Sequence, residues 1–213
     1  MKADEKLTIR EEITNAISHG IGFGLSIAAL VVLLIFANMY GDIWYITSFA
    51  IYGTTLIILY LSSTLYHSFP EGSVKSIFQI LDHASIYLLI AGTYTPLTLI
   101  PLRGKLGWTI FGVVWGIALV GIIFKIFYVK KFMILSTILY IVMGWMIIIA
   151  IKPLINTINH TSLAFLVSGG ILYTIGTIFY LGRKIKYHHA IWHLFVLAGS
   201  ICHFFTILYL LPR

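Results

Sequence analysis

His189-Ala190-Ile191-Trp192-His193 opens the last apolar stretch of the chain. In a helix with 3.6 residues per turn, a spacing of four puts both imidazoles on one face, one turn apart. A helix offers two nitrogen ligands to one metal ion in this way. Two histidines anchoring a helix end near lipid headgroups would give the same spacing, so the partners of the pair must decide. The stretch itself runs from about 188 to 211, and a helix of about 20 residues crosses a hydrocarbon core. Six similar stretches precede it, near 14–39, 43–66, 80–101, 106–128, 132–151 and 162–182. The expected fold is an all-α integral membrane protein, a bundle of seven transmembrane helices.

Composition agrees. Of 213 residues, 60% are hydrophobic and only 10% are charged, against about a quarter charged in soluble domains. The net charge of +7 is no nucleic-acid footprint, because the basic residues sit in short connections where membrane orientation explains them. The one cysteine, Cys202, lies in an apolar stretch and excludes an intrachain disulfide. The first apolar run follows a start of mixed charge and lacks a clear small-residue cleavage site. It reads as a retained first span rather than a signal peptide. Residues 1–11 are expected to form a short cytoplasmic segment, and 12–213 a single seven-helix transmembrane domain in the plasma (inner) membrane.

With a cytoplasmic N-terminus, ten of the 14 basic residues fall on the inside: Lys2, Lys6, Arg10, Lys75, Lys125, Lys130, Lys131, Arg183, Lys184 and Lys186. Arg103, Lys105, Lys152 and Arg213 fall outside. The bias favours an internal N-terminus and, with an odd number of spans, an external C-terminus. On that scheme His67 closes the second span, Asp82 opens the third, His189 and His193 open the seventh, and Glu12, Asn15 and His19 open the first. Ligand-type side chains from four distant segments reach one leaflet.

Ionisable groups inside a membrane cost roughly 2.5–3.5 kcal/mol on insertion scales, so they face the bundle interior and mark function. His67, His189 and His193 supply three neutral nitrogen donors, and three protein ligands with one open position is the catalytic form of a zinc site. Ser63 stands one turn before His67. Asp82 would accept a hydrogen bond from water at such a site or support a ligand; as an Asp before an apolar run, it is equally a candidate helix N-cap. His203 lies about 15 Å deeper than His193 along a helix and cannot share its ion, so it reads as a buried, hydrogen-bonded histidine. His83 is offset from Asp82 by about 100°. His160 and His188 read as solvated, and Glu12, Asn15 and His19 as structural groups that cap, pair or bond across helices. Gly92 and Pro96 suggest a kinked third span. Glycines 20, 22, 24, 112 and 116 permit close helix contacts, and Trp44, Tyr45, Trp108, Tyr187 and Trp192 fit interfacial belts.

Taken in order, Glu12-x-x-Asn15-x-x-x-His19-Gly20, Ser63-x-x-x-His67, Leu81-Asp82-His83-Ala84-Ser85-Ile86, Gly92-x-x-x-Pro96 and His189-x-x-x-His193 resemble the signatures of the hemolysin III family, within the wider progestin and adipoQ receptor superfamily. The resemblance covers nearly the whole chain and is to the short bacterial form. It implies a seven-helix bundle with Zn2+ at its cytoplasmic side, held by His67, His189 and His193, with Asp82 and Ser63 close to the reacting water. It also implies competing functions. One is a zinc-dependent membrane hydrolase acting on a lipid ester or amide, as superfamily members act on lipid amides. The others are a pore-forming cytolysin and a non-catalytic membrane-homeostasis protein with a structural zinc. The implied partners are the bilayer and a lipid substrate.

The charge asymmetry makes a direct prediction: a reporter that folds only outside the cell, fused after Arg213, is active. Activity only of a reporter that needs the cytoplasm would reverse the orientation.

Overall fold

The computed structural model describes residues 7–182 and 184–212, and all regular structure among them is helical. In chain order it comprises α1 (Ile9–Tyr40), α2 (Ile43–Ser68), α3 (Ser73–Leu99), α4 (Lys105–Tyr128), α5 (Met133–Trp145), a 3-10 segment (Met146–Ala150), α6 (Ile151–Thr157), α7 (His160–Leu181) and α8 (His188–Leu208). From α5 to α6 the chain makes one span, so among the described residues seven helices are long and apolar enough to cross a membrane. Residues 1–6 of the expected N-terminal segment, and Arg183 and Arg213 of the charge count, lie outside the described residues.

Helices suit this chain because a bilayer core offers no water to backbone amides, and a helix satisfies them internally. The ends are closed by side chains. Thr8 and Glu11 form a capping box at α1, Asp42 accepts from the amides of Trp44 and Tyr45 at α2, and Asn159 accepts from Ser162 at α7. Consecutive helices α1 to α4 pack side by side, α7 packs on α8, and α8 returns to α1. One apolar core centres on Tyr87, Tyr94, Val114 and Met143, and a second on Phe49, Tyr52, Leu56 and Tyr60. Between α2, α7 and α8, Ser200 Oγ lies 2.8 Å from both the Tyr60 and the Tyr173 hydroxyl. That knot satisfies buried tyrosines that would otherwise be costly in an apolar setting.

The spans overrun their apolar runs. Helix α1 begins at Ile9 rather than 14 and α3 at Ser73 rather than 80, because a helix does not stop where the bilayer does. Asp82 therefore sits well inside α3, whose N-cap is Gly72, and the capping role expected for it does not hold. The fifth span runs on to Thr157 through a break with a visible cause. The Tyr94 hydroxyl donates to the Gly144 carbonyl at 2.8 Å and accepts from the Ile147 amide at 2.7 Å. A side chain inserted into the ladder in this way locally replaces α-helical bonds. Pro96 lies inside α3 near its end.

Small residues let helices approach, as expected in membranes. A Cβ at Gly22 would meet the Tyr60 ring, one at Gly92 the Thr55 side chain, and one at Gly121 the Tyr87 ring. Gly24, Gly112 and Gly116, in contrast, face open space, so their spacing marks no contact within this chain. Gly92→Leu is expected to destabilise the α2–α3 contact by about 1–3 kcal/mol through overpacking, whereas Gly112→Leu leaves stability unchanged. Thermal unfolding of the two variants in detergent checks the contrast.

Candidate metal centre

Three helix ends build the site. His67 lies in the last turn of α2, and His189 and His193 lie in the first two turns of α8. The start of α8 is fixed to α1, because the Tyr187 amide donates to Glu11 Oε1 at 3.1 Å. One ligand-type nitrogen from each of His67, His189 and His193 lies within 4.8 Å of the other two. His67 and His193 are buried, 4% and 1% exposed.

The partners of the rings fix their tautomers. Glu12 Oε2 stands 2.6 Å from His67 Nδ1, and a carboxylate only accepts, so Nδ1 carries the proton and Nε2 keeps its lone pair. Asn15 Nδ2, at 3.5 Å from the same Nδ1, is then a neighbour and not a donor to it. His193 Nδ1 lies 3.3 Å from the Asn15 carbonyl and 3.1 Å from Ser18 Oγ. The carbonyl makes this nitrogen a donor too, leaving its Nε2 as acceptor. Glu12 Oε1 in turn accepts from Lys75 Nζ at 2.8 Å. Lys75 also donates to the carbonyls of Tyr66 and Phe69, at 3.2 Å each, and so caps the C-terminus of α2. One hydrogen-bonded chain, Lys75–Glu12–His67, joins α3, α1 and α2.

The donor set fits a metal. His67 Nε2 and His189 Nε2 are buried with no hydrogen-bond partner, and native structures rarely leave such atoms unserved. Neutral imidazoles suit transition metals, whereas magnesium and calcium take oxygen. Tetrahedral zinc bonds of about 2.0–2.1 Å set nitrogens roughly 3.4 Å apart, within small side-chain adjustments of the spacing here.

Asp82, His83, His19, His189 and His193 border a cavity of about 30 Å³. Asp82 Oδ2 is 3.6 Å from His83 Nδ1, which is itself 2.9 Å from the Gln79 carbonyl. Ser63 is fully buried with its Oγ unpartnered. It stands one turn before His67 on α2. The site lies between two larger spaces. A polar vestibule of about 540 Å³ reaches Glu12, His67, Lys75, His188 and His189. An apolar cavity of about 150 Å³ between α3, the fifth span, α7 and α8 shares Trp192 and Val196 with the small cavity.

Of the two readings open for Glu12, the structure takes the second: Glu11 caps α1, and Glu12 pairs across helices. Other residues stand differently from their reading in sequence. Trp192 is no belt residue, since it walls two cavities and packs against Gly176. His83 turns toward the site rather than away from it. His188 lines the vestibule, its Nδ1 3.1 Å from the Phe179 carbonyl, while His160 is exposed as expected. His203 packs over Gly169 and borders the apolar cavity with its Nε2 unpartnered. Lys75 and Ser18 carried no signal beyond charge and polarity. Glu12 did carry one, because Glu12, Asn15 and His19, spaced by three and four, share a helix face as His189 and His193 do.

These features define a multi-pass helical membrane protein with a three-histidine site able to hold a metal ion at one end of its bundle. Residues 7–204 match the family described as Haemolysin-III related, and the chain belongs to that family. It is 57% identical to the Hemolysin-3 homolog of Bacillus subtilis (strain 168) over 202 residues, 95% of each chain. It is 52% identical to Hemolysin-3 of Bacillus cereus over 214 residues, 98% of each. The human Monocyte to macrophage differentiation factor is 29% identical over 212 residues, 95% of this chain and 85% of that one.

Outer partners of metal-bound histidines commonly contribute about 10–100-fold in affinity. Glu12→Ala is expected to weaken metal binding by that factor, read with added Zn2+ as the probe by chelator competition on the purified protein. Unchanged affinity would remove Glu12 from the site.

Proposed function

We propose that the protein is a zinc-dependent hydrolase of a lipid ester or amide, with its site on the cytoplasmic side of the plasma membrane. The observation that carries this reading is the position of the three neutral imidazoles and Asp82. His189, His193 and Asp82 border a 30 Å³ cavity, and His67, whose ligand nitrogen lies within 4.8 Å of those of the other two histidines, borders the polar vestibule. An apolar cavity within the bundle adjoins the small one on its other side. A lipid carbonyl stands at just such a boundary between acyl chain and headgroup.

His67, His189 and His193 would hold the zinc ion. When bound, zinc supplies Lewis acidity, polarising a carbonyl oxygen and making water a stronger acid near neutral pH. The protein does the rest. Glu12 and the Asn15 carbonyl keep the His67 and His193 rings in the tautomer that presents Nε2. The apolar cavity, walled by residues such as Leu89, Ile90, Tyr94 and Ile148, takes an acyl chain and excludes water. Asp82, at the edge of the small cavity, accepts the proton of the attacking water and returns it to the leaving group. Ser63, one turn before His67 on α2, would act as a supporting hydroxyl.

The names of the Bacillus relatives suggest cytolysis as the competing activity. A built donor set at the meeting of an apolar and a polar space is what lipid hydrolysis requires and lysis does not.

Asp82→Asn keeps the side-chain size but is a far poorer proton acceptor. This variant is expected to fold, retain zinc and lose about 10²–10⁴ in lipid turnover, the usual contribution of a general base. Paired zinc stoichiometry, melting temperature and lipid hydrolysis check it. Equal hydrolysis by both proteins would overturn the role of Asp82. Absence of hydrolysis across a broad lipid panel would make the zinc a structural staple between α2 and α8.

A further inference from the structure

His19 borders the small cavity of the site but has no role in the reading above. It lies one turn beyond Asn15 on α1 and is 3% exposed. Its ring stacks on His193, with centroids 3.5 Å apart and planes 11° from parallel. Tyr60 packs edge-on against it at 5.0 Å. Both ring nitrogens are buried without a hydrogen-bond partner; the backbone of His193 approaches the ring but does not meet hydrogen-bond geometry.

A ring used only as a packing plate would be better served by phenylalanine, which buries no polar atoms. The nitrogens therefore need a use, and geometry excludes the most obvious one. A metal is bound in the plane of an imidazole, along its nitrogen lone pair. Two nearly parallel rings separated by 3.5 Å cannot both hold one ion in plane. His19 is not a fourth ligand.

The remaining use is the cavity. His19 borders the same 30 Å³ space as Asp82, His189 and His193. A space of this size admits a group or two of about water's dimensions, each needing roughly 10–15 Å³. Neutral imidazole offers one donor and one acceptor, the complement of a carbonyl or carboxyl oxygen entering beside the three ligands. We propose that His19 is a further substrate-binding residue, whose ring N–H donates to the acyl oxygen in this cavity. The assignment rests on the hydrolase reading and identifies the group recognised as an acyl carbonyl or the carboxylate formed from it.

The test uses the full-length protein in detergent, loaded with Co2+ in place of zinc, and acetohydroxamate as the probe. Its binding is followed by the visible absorption of cobalt. His19→Phe and His19→Leu are expected to retain cobalt and melting temperature while binding the probe at least tenfold more weakly, as loss of one hydrogen bond in a buried site implies. His19→Gln, which restores donor and acceptor, is expected to recover part of the loss. Equal affinity in wild type and the apolar variants would overturn the proposal. So would loss of cobalt from both apolar variants, because the ring would then serve the fold. A cobalt-loaded wild type whose spectrum ignores acetohydroxamate would instead remove the hydrolase reading, and this assignment with it.

Discussion

The Glu12 carboxylate, 2.6 Å from the His67 ring and 2.8 Å from the Lys75 ammonium, is the contact on which the end of the bundle depends. It brings α1, α2 and α3 to one point and leaves the His67 Nε2 lone pair facing inward. Hydrogen bonds to charged groups contribute about 1.5–3 kcal/mol each, more than most single packing contacts. Neighbouring contacts extend the arrangement to α8. Glu11 holds the first amide of the Tyr187 turn, and the Asn15 carbonyl orients His193. The first helix thus supplies none of the three candidate ligands; it supports His67 and His193 directly and His189 only through the start of α8.

That support explains why the site can be polar inside an apolar protein. Helix faces toward lipid are lined by residues such as Ile17, Val120, Ile149 and Ile178, all exposed, while the polar atoms converge at one end. Deeper in the bundle some polar groups are satisfied in knots, as at Tyr60, Tyr173 and Ser200, while single atoms such as His203 Nε2 and the Tyr87 hydroxyl stand without a hydrogen bond. At the candidate metal centre several unpartnered ring nitrogens, from His19, His67 and His189, lie close together, and it is their convergence that points to a binding site. The fifth span, broken by Tyr94 at the 3-10 segment, gives the apolar cavity one of its walls.

Much of this was legible in the sequence. Apolar runs gave the seven spans, and two spacings of four gave the faces of α2 and α8 that carry the histidines. Alternation of the spans placed their ends together. Other features were not legible, for physical reasons. Hydropathy records the part of a helix within lipid, so the polar first turns of α3 were invisible. Lys75 then looked like a loop charge, and Asp82 like a cap. Glu12 gave no hint of its partner, because pairing across helices depends on rotation about the helix axis. Glycine spacing was ambiguous, since Gly22 and Gly112 look alike in sequence while one meets a tyrosine ring and the other open space. Trp192 near a span end resembled an interfacial anchor until packing turned it inward.

The central claim is that His67, His189 and His193 together bind zinc, and X-ray absorption at the zinc edge on the purified protein tests it most directly. The account predicts one tightly bound zinc per chain, a first shell at about 2.0–2.1 Å, and outer-shell scattering from imidazole rings that is lost when the three histidines are replaced. A shell of oxygen or sulfur without imidazole scattering, or full zinc retention in the triple His→Ala variant, would contradict it.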